Sequence, residues 1–281
     1  MTQPAIAQDA NAPAFKGPFA PLASNLADKG ITLHATTYDF LNANPSFGLE
    51  PGHASNSTYW VTGMDLDLDK LAGLRGATIH LKETFFSFVY NNDDIAAEFG
   101  DNSLGYQTTY NMLSNQLSEL TYEQKLLNGR LDIEFGRTHP NFYFTPMTCQ
   151  TYNTCYQDIL YFDAGYISPL HSTWGGRVKY NLTPSSYIEA GTFANDEDWH
   201  NRTGWDWALP IPPGTLNLAE YGFDTDPGGK YPGHYAITGY YNSGEHDDSY
   251  WTANHQPRGY FPDDPSEIVD GTSGAVLNTS S

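Results

Sequence analysis

Glu119-Leu-Thr-Tyr-Glu-Gln-Lys-Leu-Leu-Asn-Gly-Arg-Leu-Asp-Ile-Glu-Phe-Gly-Arg137 is the stretch on which the fold turns. Asn128-Gly129 stands between two strand-like runs, and both residues accept the left-handed backbone of a tight hairpin, so the pair predicts a two-residue turn. After it, Leu131, Ile133 and Phe135 alternate with Arg130, Asp132 and Glu134, giving a strand with one greasy and one charged face. A water-soluble sheet alternates too, but it seldom sets charges of both signs at mid-strand. The wet interior of a barrel accounts for them directly.

Outward from this hairpin the same period of two recurs. Strands are predicted at Ile31–Phe40, Thr58–Leu68, Gly76–Val89, Glu119–Leu127, Arg130–Arg137, Gly175–Asn181, Tyr187–Ala194, Leu216–Phe223 and Tyr235–Tyr241. In the second, Trp60, Met64, Leu66 and Leu68 oppose Asp65, Asp67 and Asp69; in the third, Ile79 and Leu81 oppose Thr78, His80 and Lys82. Connections alternate between tight (Asp69–Arg75, Asn128-Gly129, Thr183–Ser185, Asp226–Lys230) and long. That order is the signature of an up-and-down transmembrane β-barrel with short turns at one rim and long loops at the other. A β-sandwich has no reason to keep it. Ahead of the strands, Phe19–Gly30 carries apolar residues at helical spacing and ends on Gly, which predicts a short helix.

Composition agrees with an all-β reading. Tyr, Phe and Trp number 20, 15 and 6, and 26 Gly with 18 Pro supply turns. No run approaches the roughly 18 to 20 apolar residues of a membrane-spanning helix. A formal charge of -20 argues against nucleic acid and anionic surfaces as partners and leaves cations or neutral polar molecules; the acidity also serves simply to keep an exported chain soluble. Ala5-Ile6-Ala7 before Gln8 has the small-x-small form of a signal-peptidase site, so residues 1–18 are expected to be a flexible segment left near a removed leader. Cys149 and Cys155 fit neither a redox nor a zinc pattern; a disulfide closing a small loop and two inert thiols are the alternatives.

Glu119–Arg137 and Arg177-Val-Lys-Tyr-Asn-Leu-Thr-Pro184 resemble the carbohydrate-selective porin family typified by OprB, and the likeness extends over roughly residues 20–245, including Leu22–Gly30, Met64–Gly76 and the paired cysteines. The resemblance implies an outer-membrane barrel of sixteen strands in a bacterium, roughly seven of them beyond Tyr241, passing glucose and other neutral sugars into the periplasm. It leaves 19–241 as barrel and 242–281 as loop or tail. Two positions depart from the family pattern: Phe85-Phe86-Ser87-Phe88 where an arginine is expected, and Ile167-Ser168-Pro169 where a tryptophan can stand.

Sugar passage needs aromatic faces and groups that bond hydroxyls weakly enough to release them. Parity nominates Lys82, Glu119, Glu123, Lys125, Glu134, Arg177 and Lys179 as pore-lining, each also readable as a rim charge; Trp174 is a candidate sugar stack or girdle residue. Arg137 has the apolar parity, which predicts a place at the rim or in the third loop. Trp199, Trp205 and Trp207 could form a platform in a loop or simply pack it. No cofactor or metal is expected, the histidines having no ligand spacing. The partners expected are neutral sugars and outer-membrane lipid and lipopolysaccharide, with a homo-oligomer compatible. The rivals are a general or cation-preferring pore and a secreted glycan-binding protein or glycoside hydrolase. No nucleophile elbow, phosphate loop or zinc-protease motif supports an enzyme.

Overall fold

The computed structural model describes residues 18–46, 51–90, 115–144, 172–195, 203–205, 207, 214–225, 231 and 233–244. They form two short helices and nine strands: α1 (Ala20–Asp28), β1 (Ile31–Asn44), β2 (His53–Asp67), α2 (Leu68–Ala72), β3 (Ala77–Tyr90), β4 (Gln116–Leu126), β5 (Leu131–Thr138), β6 (Thr173–Thr183), β7 (Ser186–Asn195), β8 (Gly214–Thr225) and β9 (Gly233–Asn242). The strands make a single antiparallel meander in the order β1 to β9, with β1 and β9 at its edges. Each neighbour pair being antiparallel, the connections after β2, β4, β6 and β8 gather at one end, and the longer ones at the other.

Two turns differ from their sequence readings. The connection after β2 is helical rather than irregular, because Asp67 caps α2 by accepting from the amides of Asp69 and Lys70 at 3.0 and 3.3 Å. Leu68 and Asp69 therefore leave the strand alternation. The β4–β5 turn spans 127–130, not two residues, with Leu127 and Asn128 both left-handed at φ 53° and 58°. Several strands also run longer than the hydrophobic pattern suggests. His53–Ser57 has no apolar alternation, yet the register pairs Asn44 with His53 and carries β2 back to that point.

Register assigns every side chain to one of two faces. One carries Asp132, Glu134, Arg177 and Glu189, all but buried; the other exposes Phe135, Val178, Ile188 and Ile237, the last 78% exposed. An apolar face left open and a charged face closed in is the reverse of a soluble sheet. The compact apolar cluster, Phe144, Phe193, Leu216 and Leu218, lies on the charged side, toward the loop end.

Candidate pore-lining face

The charged face is a ladder of ion pairs running across the sheet. It begins at Asp65 on β2, whose two oxygens bond His34 on β1 at 2.6 Å and His80 on β3 at 2.8 Å. His80 then faces Glu123 on β4 at 3.6 Å, and Glu123 holds Lys125 at 2.8 Å. Lys82 pairs with Glu119 across the β3–β4 seam.

Arg177 is the hub. One guanidinium nitrogen reaches Asp132 and Glu134 at 3.1 Å each and approaches Glu123 at 3.8 Å; the other bonds Glu189 at 3.3 Å. Register explains why so many carboxylates meet there. Glu123 stands directly opposite Glu134, and Glu189 opposite Glu220, like charges that repel across a strand pair. The planar fork of an arginine on the intervening strand is suited to offset both, since it presents several donors in fixed directions. Lys179 adds a second cation beside Glu189 at 3.5 Å and lies 3.5 Å over the Tyr187 ring. Tyr187 and Thr238 donate to the two oxygens of Glu220 at 2.6 Å each, which extends the ladder to β9.

Lys82, Glu119, Glu123, Lys125, Glu134, Arg177 and Lys179 thus share one face; Lys82 and Glu119 pair with each other, and the rest are joined through Arg177. Lys125 lies nearest the turns and is half exposed. Trp174 does not join them. Register pairs it with Arg137, whose guanidinium sits 5.6 Å from its ring, and it packs against the apolar cluster of Phe144, Phe193, Leu216 and Leu218. Arg137 is buried and donates to the Ser172 carbonyl at 2.9 Å, reaching the end of the third long connection as its parity suggested. Trp205 donates to the Glu83 carboxylate at 2.9 and 3.1 Å and packs edge-on against Trp207, which tilts against Trp174. Cys149, Cys155 and Trp199 lie outside the described residues.

Several members were missing from the sequence reading. Glu189 and Glu220 follow the alternation of β7 and β8 and were within reach of it. Tyr143 carried no such signal: it follows a 3-10 turn, Pro140–Phe142, yet its hydroxyl donates to Glu134 at 2.9 Å.

A nine-stranded meander with tight turns at one end, charge on one face and exposed apolar side chains on the other is part of the wall of a porin barrel. The chain belongs to the carbohydrate-selective porin, OprB family, whose model matches residues 53–280. It is 25% identical over 257 residues to Porin B of Pseudomonas aeruginosa, covering 86% of this chain and 55% of that protein. A structure of Pseudomonas putida OprB at high pH shares the fold, with a TM-score of 0.74 at 24% identity over 86% of this chain and 59% of that one. The chain spans little more than half the length of these relatives.

Proposed function

We propose that the charged face lines a water-filled path through which neutral sugars such as glucose diffuse across the bacterial outer membrane into the periplasm. The observation that carries this is the pairing of signs on that face. Every lysine and arginine named in the ladder stands beside a carboxylate, so the path offers donors and acceptors to hydroxyls without a field of one dominant positive sign. The opposite face then meets lipid and lipopolysaccharide. Its exposed Phe135, Val178, Ile188 and Ile237 suit hydrocarbon, and every strand but β5 is long enough to cross a bilayer at a tilt. The work is passive passage, with no bond made or broken.

The full-length protein in liposomes is expected to swell them with monosaccharides faster than with amino acids or salts of matched size. Glu134→Gln should change that rate more than Ile133→Ala on the apolar face. Equal swelling with all solutes would leave only a general diffusion pore, and glycoside cleavage without conductance would overturn the pore altogether. Purified membranes give a quicker reading: the protein should leave them with detergent and be absent from the soluble fraction.

One observation favours a second property, preference for cations over anions. Asp65, Glu119, Glu123, Asp132, Glu134, Glu189 and Glu220 face Lys82, Lys125, Arg177 and Lys179, so carboxylates exceed fixed cations on this face. A salt gradient across a bilayer containing the protein should give a reversal potential of cation-selective sign. A potential of anion-selective sign would refute it.

A further inference from the structure

Two sets of basic residues in this chain keep different company. Lys82, Lys125, Arg177 and Lys179 each stand beside a carboxylate on the charged face. Lys29 at the end of α1, Lys70 in α2, Arg75 and Arg130 are all exposed at the turn end of the sheet, and none of them makes an ion pair among the described residues. With 33 Asp and Glu against 13 Lys and Arg in the whole chain, carboxylates are plentiful enough to pair with every cation. Cations left unpaired at one rim are therefore open to a partner from outside the chain.

Two of them, Arg130 and Arg75, are held toward the apolar face. Leu126 pairs with Leu131, Leu131 with Tyr180 and Tyr180 with Ile188, so these residues form one outward row beside the turns. The Arg130 guanidinium lies 5.1 Å from the centre of the Tyr180 ring and donates to the carbonyls of Asn181 and Leu182 at only 3.4 Å each, which leaves much of its fork of donors open. Arg75 is fastened to the same side by its backbone. Gln124, which shares a face with Ile133, donates to the Arg75 carbonyl at 2.9 Å and itself accepts from the Tyr122 hydroxyl at 2.7 Å. Between Gln124 and Arg130, Leu126 and Leu127 are 42% and 62% exposed, and Leu182 is 42% exposed. Leu127 adopts φ 53°, a left-handed conformation that bulky residues seldom take. A leucine there is explained by what its side chain touches rather than by the needs of the turn.

Exposed leucines beside unpaired arginines suit the boundary of a bilayer, where acyl chain and phosphate lie close together. We propose that this corner of the turn rim is a binding site for an anionic phospholipid: Arg130 and Arg75 take the phosphate, and Leu126, Leu127, Tyr180 and Leu182 lie along the first part of the acyl chains. The inference rests on the reading of the apolar face as the lipid-facing one. Charge complementarity decides the class of lipid. A zwitterionic headgroup brings its own ammonium to compete with the arginines, whereas phosphatidylglycerol brings only phosphate and hydroxyls. A guanidinium suits the phosphate because its planar fork presents parallel donors, and Lys29 and Lys70 add positive potential at the same rim. A soluble acidic partner would need the cations but not their continuity with the apolar row that leads to Ile188.

Native mass spectrometry of the full-length protein in detergent, with phosphatidylglycerol or phosphatidylethanolamine added at equal concentration, reads the preference directly. Wild type is expected to retain phosphatidylglycerol about tenfold more strongly, since each cation near an anionic headgroup contributes a several-fold factor, and the preference should shrink as salt is raised. Arg75→Gln together with Arg130→Gln should bring the ratio close to unity. Leu127→Ser should weaken retention of both lipids while leaving their ratio. Folded wild type, recognised by its heat-modifiable mobility on gels, that retains the two lipids equally overturns the proposal, and so does an unchanged ratio in the double variant. If the double variant does not fold, Arg75→Gln alone decides: its ratio should fall part of the way, and an unchanged one overturns the proposal. A wild-type protein that never enters liposomes would refute the lipid-facing reading itself, a result distinct from one that inserts and conducts without preferring either lipid.

Discussion

Along β5 to β8 the charged face of the sheet has two halves built on different physics. Toward the turns, Asp132, Glu134, Arg177, Lys179 and Glu189 form a lattice of charge in which each group depends on its neighbours for compensation. Toward the loops, Phe144, Phe193, Leu216 and Leu218 form an apolar cluster that excludes water. The strands and the parity are the same in both halves. What differs is that the turn half places long charged side chains opposite one another, whereas toward the loops Gly136 faces Gly175 and Gly175 faces Phe193, with Gly191 at the boundary opposite Arg177. Glycine leaves room for rings, and the rings bring a loop segment with them.

Arg177→Met breaks the charged half and should have the largest effect. It leaves Asp132, Glu134 and Glu189 without their shared cation, which for a buried ion cluster costs about 3 to 5 kcal/mol, and the surviving folded pores should be more cation-selective than wild type. Urea unfolding in detergent measures the first and a reversal potential the second; a variant of wild-type stability and selectivity would dissolve the contrast.

Phe193→Ala attacks the apolar half. Phe193 is fully buried, and truncating a buried phenylalanine costs about 3 kcal/mol through lost transfer and the cavity left behind. Its reversal potential should stay at the wild-type value, because no ladder charge is touched. Movement of that value would mean the two halves are electrostatically coupled.

A smaller effect is expected from Cys149 and Cys155, a pair implied by the family resemblance to close the third long loop. Alkylation of unfolded, unreduced protein should label neither, and reduction should cost at most about 2 to 3 kcal/mol, since the loop enclosed is short. Labelling of both before reduction would remove the bond. The smallest effect is expected far from both halves: Asp67→Ala removes the cap of α2 at a cost of about 1 kcal/mol and should leave sugar entry and ion selectivity unchanged.

The hairpin at 127–130 and the alternation after it were readable because a period of two is a local property and a half-buried strand cannot hide it. That is why β4 to β7 fall close to their expected bounds, and why Lys82, Glu119, Glu123, Glu134, Arg177 and Lys179 come together on one face. His53–Ser57 was not readable, because its strand character comes from pairing with Asn44 and its neighbours rather than from its own side chains. Trp174 shows the limit of residue type as a guide. A tryptophan suits a sugar stack chemically, but its ring is occupied by Arg137, Trp207 and the apolar cluster around Phe193.

By itself, then, the sequence determined the strand order, the end at which each connection lies, and the face of the residues wherever a strand alternates, since all three follow from local period and connection length. Tertiary structure alone decided which charges become partners. Arg177 meets Glu189 from β7 as well as Asp132 and Glu134 from β5 because the register of three strands converges there. The same is true of Tyr143 and Phe144: a segment without strand period has no face until Gly191 and Phe193 of β7 make a place for it.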